Sequence, residues 1–154
     1  MTSALSKHYQ TAFAPTLKAA GFTKRGANWH RRVDGAVQVI NLQGSQWGAS
    51  FYLNLGVYFE ALGDQARPPE SACHLRSRCD QLVPDGERFH DLLDDAKRIS
   101  EAERFAELAA SVRSVALPWL DLVSTAEGAR AYCERRSASL FIAKQAREYL
   151  GLIN

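Results

Sequence analysis

The apolar positions at Leu5, Tyr9, Ala12, Phe13, Leu17 and Ala20 fall three and four apart, the spacing of one helix face. Pro15 lies inside that stripe and, lacking an amide hydrogen, predicts a kink or restart. Gly21 predicts the stop. The period then changes to two. Residues 29–33, 36–43 and 50–59 are rich in β-branched and aromatic side chains and predict three strands. Asp34-Gly35 predicts a tight hairpin, and Gly44-Ser45-Gln46-Trp47-Gly48 a longer turn. Residues 73–79 alternate small or apolar with charged side chains, which predicts a fourth strand closed by Pro84-Asp85-Gly86. Strands joined this tightly pair antiparallel, as a meander.

The second half returns to helical period. Phe89, Leu92, Leu93, Ala96 and Ile99 form one stripe, and Ser100 with Glu103 has capping-box spacing. A long stripe from Phe105 to Val123 contains Pro118, which predicts a kink or division. Ser124 with Glu127 repeats the capping spacing before a helix through Ala131, Tyr132 and Arg135. A last helix is read through Leu140, Phe141, Lys144 and Tyr149. An apolar sheet face needs a cover, and these helices supply it. The expected fold is α+β: a four-stranded, mostly antiparallel sheet packed on one face by an N-terminal helix and several C-terminal helices. One domain is expected over residues 1–154, sheet-forming at about 22–80 and helical at about 86–150.

Alternation within the strands separates a core face from an open one. Phe51, Leu53, Leu55, Val57 and Phe59 read as core, with Tyr52, Asn54, Gly56 and Tyr58 opposite. Cys73, Leu75 and Cys79 read as core, with His74, Arg76 and Arg78 outside. In the first strand Trp29, Arg31 and Val33 alternate with His30 and Arg32. The second strand is apolar on both sides, so either face can be buried. Gln38, Asn41 and Gln43 cannot share one face. The open face thus collects His30, Arg32, Tyr52, Asn54, Tyr58, His74, Arg76 and Arg78, with Trp47 on the flanking turn. Amide, phenol and guanidinium groups suit an acidic or phosphate-bearing ligand. A polar face is also what an antiparallel sheet commonly shows to water.

Composition narrows the classes. A chain of 154 residues that is 46% hydrophobic has material for a packed core, which excludes a disordered or fibrous chain. No apolar run approaches the ~20 residues of a membrane span, and the first residues lack a signal-peptide core. Three cysteines without C-x-x-C spacing predict reduced thiols and a cytoplasmic protein. A net charge of +2 does not by itself demand a nucleic-acid or membrane partner.

Catalytic motifs are sparse. Cys73 and Cys79 on one strand lie ~20 Å apart, too far to share a metal ion. Neither metal nor cofactor is expected. Gly44-Ser45 is not the G-x-S-x-G elbow, and both phosphate-loop signatures are missing. Asp91, Asp94 and Asp95 read as a solvated helix face, and Cys133 as a small core residue. Lys24, Arg25, Arg31 and Arg32 form a basic run without an acid.

Several segments together resemble the bacterial domain-of-unknown-function family 4304. They are Gly21-Phe22-Thr23-Lys24-Arg25-Gly26, Trp29 with Arg31-Arg32, residues 38–43, Asn54-Leu55-Gly56-Val57 and His74-Leu75-Arg76-Ser77-Arg78. They span roughly residues 5 to 84, and the helical half matches less distinctly. The resemblance implies an α+β domain and carries no activity, catalytic residue or cofactor with it. Small bacterial domains of this kind often serve as immunity or adaptor proteins. The expected function is a non-enzymatic binding protein whose open face recognises a protein partner, acidic in character. An alternative is a nucleic-acid or nucleotide-binding domain using the same arginines with stacking on Trp29 or Tyr52. A third is a hydrolase or transferase with His30 or His74 as base.

Overall fold

In the computed structural model, which describes residues 3–136 and 140–152, the Asp34-Gly35 hairpin forms with Gly35 at φ +80°. It joins β2 (Asn28–Val33) to β3 (Ala36–Gly44), pairing Val33 with Ala36. β4 (Phe51–Phe59) pairs antiparallel along all of β3, and β5 (Leu75–Arg78) pairs with β4. The meander is therefore as expected, but the sheet has six strands rather than four. β1 (Thr23–Arg25) adds at one edge and β6 (Phe141–Ile142) at the other, in sequential order. Both are too short for a periodic signal, since two or three residues hardly sample an alternation. Leu140 and Phe141, expected to be helical, belong to this edge instead.

Buried residues of α1 (Ala4–Ala19) pack on one face of the sheet, with Phe13 edge-on to Trp29 and Tyr9 against Phe51. Pro15 does not break α1. α2 (Gly86–Leu92) is shorter than its stripe, because the chain turns away at Leu93 into a loop over residues 93–100. Ser100 caps α3 (Glu101–Ser111) by accepting from the Glu103 amide, 3.2 Å. A π-helical turn (Val112–Ala116) then precedes α4 (Leu117–Val123). It meets the demand of Pro118, whose ring would clash with the carbonyl four residues earlier in a continuous α-helix. α5 (Ala126–Arg136) is capped by Thr125, which accepts from Gly128 at 3.0 Å. Ser124, the expected cap, is buried and returns its hydroxyl to the Leu120 carbonyl. α6 is Lys144–Leu150.

The alternation of β4 holds as read: Phe51, Leu53, Leu55, Val57 and Phe59 all lie in the main core with Ile40, Leu42 and Leu75. That face also carries a polar clasp. Arg31 donates to Gln38 Oε1 (2.9 and 2.7 Å), Asp121 Oδ1 (2.7 Å) and the Ala20 carbonyl (2.8 Å). Gln38 Nε2 donates to Asp121 and Ser124, both at 2.9 Å. These bonds tie α1 and α4 to the sheet while satisfying a fully buried amide.

Candidate functional site

Cross-strand partners share a face, so the register assigns the second side of the sheet. Pairing places Arg32 beside Val37 and Tyr58, His30 beside Val39, Gly56 and Arg76, and Asn28 beside Asn41, Asn54 and Arg78. This face divides into a covered half and an uncovered half. Over the first, the connection at residues 60–74 folds back. Val37, Val39, Tyr58 and Cys73 form a second buried cluster there, separate from the main core. β3 is thus buried on both sides along its first half.

Four of the expected binding residues serve this strap. His30 Nε2 meets the Pro68 carbonyl at 2.7 Å. Arg32 donates to both carboxylate oxygens of Glu60, 2.8 and 3.1 Å. Tyr58 and His74, expected in solvent, are each 4% exposed. The Tyr58 hydroxyl accepts from the Gln65 amide at 3.3 Å, and His74 Nδ1 accepts from the Phe59 amide at 2.9 Å. His74 precedes β5 rather than lying in it, as does Cys73, while Cys79 opens a 3-10 turn after it. Cys73 is buried as expected, but against the opposite side of the sheet from the main core.

Two predictions arise here. The Arg32–Glu60 pair is exposed, so Arg32→Ala is expected to leave the urea unfolding midpoint unchanged. Burial holds the His74 imidazole below the usual histidine value. The unfolded chain therefore takes up a proton that the folded protein refuses. Stability is full above pH ~6.5 and falls as the pH drops from there toward the folded-state value. His74→Asn keeps an acceptor near Nδ1 and should flatten that slope in urea titrations between pH 8 and 5.

The uncovered half holds Gln43, Tyr52, Asn54, Arg76 and Arg78. They line two adjoining shallow concavities of about 420 and 370 Å³, which share Gln43 and Arg78. Asn54 is 6% exposed and donates through Nδ2 to Asn41 Oδ1 (3.0 Å) and Gln43 Oε1 (2.8 Å). Asn41 Nδ2 donates in turn to Asn28 Oδ1 (2.8 Å). The Arg78 guanidinium lies over the Tyr52 ring, 4.0 Å from its centroid. Arg76 is held by Glu70 through two bonds, 2.9 and 3.2 Å, and approaches the half-exposed Phe141 ring at 5.3 Å. Trp47 borders this region on the β3–β4 turn, 88% exposed.

Of the nine expected residues, the structure therefore groups five: Trp47, Tyr52, Asn54, Arg76 and Arg78. Gln43, Gln81, Glu70 and Phe141 join them unforeseen. Gln43 was within reach of the sequence, because a two-residue hairpin at Asp34-Gly35 sets the β3 register and hence its face. Glu70 carried no signal, since it comes from the strap. Trp29, a candidate stacking residue, is 1% exposed and belongs to the core.

The candidate bases His30 and His74 and the three cysteines lack an activating partner among the described residues. Burial raises the Cys73, Cys79 and Cys133 thiols, Cys79 to about 12. Neither His30 nor His74 hydrogen-bonds a carboxylate among the described residues. Among those residues, no three His, Cys, Asp or Glu side chains gather in metal-binding geometry, and no helix is long and apolar enough to cross a membrane.

A family model described as Domain of unknown function (DUF4304) matches residues 13–122, more than half of the chain. That stretch runs through the C-terminal part of α1, the strands β1 to β5 and most of α4, and so contains Trp47, Tyr52, Asn54, Arg76 and Arg78. Comparison with curated proteins and with solved structures returns no match.

Proposed function

Starting from a chain that belongs to the DUF4304 family, a domain of unknown function, we propose that it is a non-enzymatic binding module recognising a protein partner. The recognition surface is the uncovered half of the open sheet face with its flanking Trp47 turn. An immunity-type or adaptor role in the cytoplasm accords with this reading. The observation that carries it is Trp47, a large aromatic side chain 88% exposed beside an arginine already laid on a tyrosine ring. Trp, Tyr and Arg are the side chains that dominate binding energy at protein interfaces. Polar groups around them are ordered by their own amide network, so little freedom is lost on binding.

The test is an affinity capture from native lysate with wild-type protein beside Trp47→Ala and Arg78→Gln. One stoichiometric protein retained by the wild type and lost, by tenfold or more, in both variants is expected. Both side chains are exposed, so the variants should unfold with wild-type midpoints. A protein captured equally by all three would sink the assignment to this face.

A second reading has its own observation. Trp47, Tyr52 under Arg78, and Phe141 beside Arg76 alternate rings with guanidinium groups, as single-strand nucleic-acid platforms do. It predicts copurifying nucleic acid whose affinity falls steeply with salt.

A further inference from the structure

The hydrogen-bond polarity of the uncovered face specifies the group it takes. Asn54 occupies the side-chain oxygen of Gln43, so Gln43 has its Nε2 hydrogens left to offer the concavity. Arg78 has donors only, and its contact with the Tyr52 ring leaves the in-plane N–H groups free for a ligand. Among the described residues, Arg78 forms no ion pair. Two neighbouring donor groups therefore face one space, which suits a ligand that only accepts.

Arg76 shows the form such a ligand takes. It stands two residues from Arg78 on the same strand face, and its guanidinium is filled by the carboxylate of Glu70 through two bonds. Arg78 is the same chemical group on the same strand without that partner. Charge then separates a single carboxylate from a polyanion. Arg76 and Arg78 are the arginines that line the two concavities, and Glu70 neutralises Arg76, which leaves Arg78 without a carboxylate there. Arg25, also on this face by register, stands on the edge strand β1, four strands away from Arg78, and lines neither concavity. Glu70 itself, largely buried, lines the concavity and repels a second negative charge. A nucleic-acid backbone needs several unpaired cations in a row. One side-chain carboxylate needs one.

We propose that Arg78 and Gln43 bind a single carboxylate side chain on an extended segment of the partner protein, with an apolar neighbour of that carboxylate against Trp47. This rests on the reading of the face as a protein-recognition surface. Arg–carboxylate recognition is bidentate and planar, so the guanidinium resting on Tyr52 is pre-positioned for it.

The experiment is a ¹⁵N-resolved NMR titration of the full chain with the blocked peptide acetyl-glycyl-leucyl-glutamyl-glycinamide, its glutaminyl isostere and an octathymidylate. The glutamyl peptide should saturably shift the Arg78 Nε–H, the Gln43 side-chain amide and the Trp47 indole N–H. The isostere should bind at least about tenfold more weakly, as loss of a charge-assisted pair implies. Arg78→Gln should weaken the glutamyl peptide equally while retaining the dispersion of the folded spectrum. Equal affinity for the two peptides, no shift at these three groups, or tighter binding of the octathymidylate would each overturn the proposal. A Trp47→p-benzoylphenylalanine variant, photolysed in lysate, separates the two levels. A crosslinked protein partner with no peptide response leaves the face assignment standing and removes the carboxylate. No crosslink and no response remove both.

Discussion

Arg104→Ala is expected to destabilise the protein by about 3 kcal/mol, the order of cost for deleting a buried, multiply hydrogen-bonded side chain. Arg104 is 5% exposed on α3 and points its guanidinium into the loop that follows α2. Nη1 donates to the carbonyls of Asp91 (3.2 Å), Leu92 (2.7 Å) and Asp94 (3.0 Å), and Nη2 to that of Lys97 (2.7 Å). Alanine leaves four carbonyls without this donor and a void beneath Tyr9, whose ring the guanidinium approaches at 5.7 Å. The consequence reaches the binding face. The same loop receives the Phe51 amide at Leu93, gives the Asp95 amide to Ala49, and bridges Ser50 with Asp94. It thereby anchors the end of the β3–β4 turn that displays Trp47. Urea denaturation should show a lower midpoint with an unchanged slope, and the Trp47 indole resonance should broaden or move in the variant. Arg104→Lys should recover part of the loss, because one ammonium cannot span all four carbonyls. A midpoint within error of wild type for Arg104→Ala would show that the loop holds itself.

Gly56→Ala is the second large effect, expected at about 2 kcal/mol, in the range for overpacking a closed site. Gly56 sits mid-strand on the covered half of the face, its neighbours paired in β4. A Cβ there would lie 2.7 Å from Cys73 Sγ and 2.8 Å from Cys73 Cβ. The second contact is with the root of a side chain, so relief requires the strap backbone itself to lift. Lifting it strains the His30–Pro68 and Arg76–Glu70 contacts together. Cys73→Gly in the same chain should restore much of the loss, giving a favourable coupling in a double-mutant cycle. Additive losses in that cycle would show that the strap does not rest on Gly56. The release of Glu70 in Gly56→Ala should also free Arg76, so the concavity would gain a second unpaired arginine beside Arg78 and with it affinity for polyanions.

Much of the architecture is written locally. The hairpin at Asp34-Gly35, the alternation in residues 51–59, the stripe of α1 and the Ser100 cap each depend on residues within a few positions of one another. Such signals survive without knowledge of the rest of the chain. The α2 stripe misleads at Leu93 because the loop after it is held by Arg104, twelve residues away from Leu92. The second capping signal misleads at Ser124 because Gln38, 86 residues distant, recruits that hydroxyl.

The same division runs through the binding face. Period two put Tyr52, Asn54, Tyr58, Arg76 and Arg78 on one side of the sheet, and the register agrees. Alternation states only which side a residue is on. It does not state what covers that side, because cover is supplied by chain from elsewhere. The strap at residues 60–74 has no periodic pattern of its own, yet it buries Tyr58 and His74, pins His30 and supplies the carboxylate for Arg76. Side-chain spacing and turn chemistry alone are enough to specify the α+β class, the antiparallel meander and the polar side of its middle strands. The packing of distant segments decided that half of that side is interior and that Arg78, beside Trp47, is left without a carboxylate. Burial and charge pairing are relations between distant segments, and no local spacing encodes them.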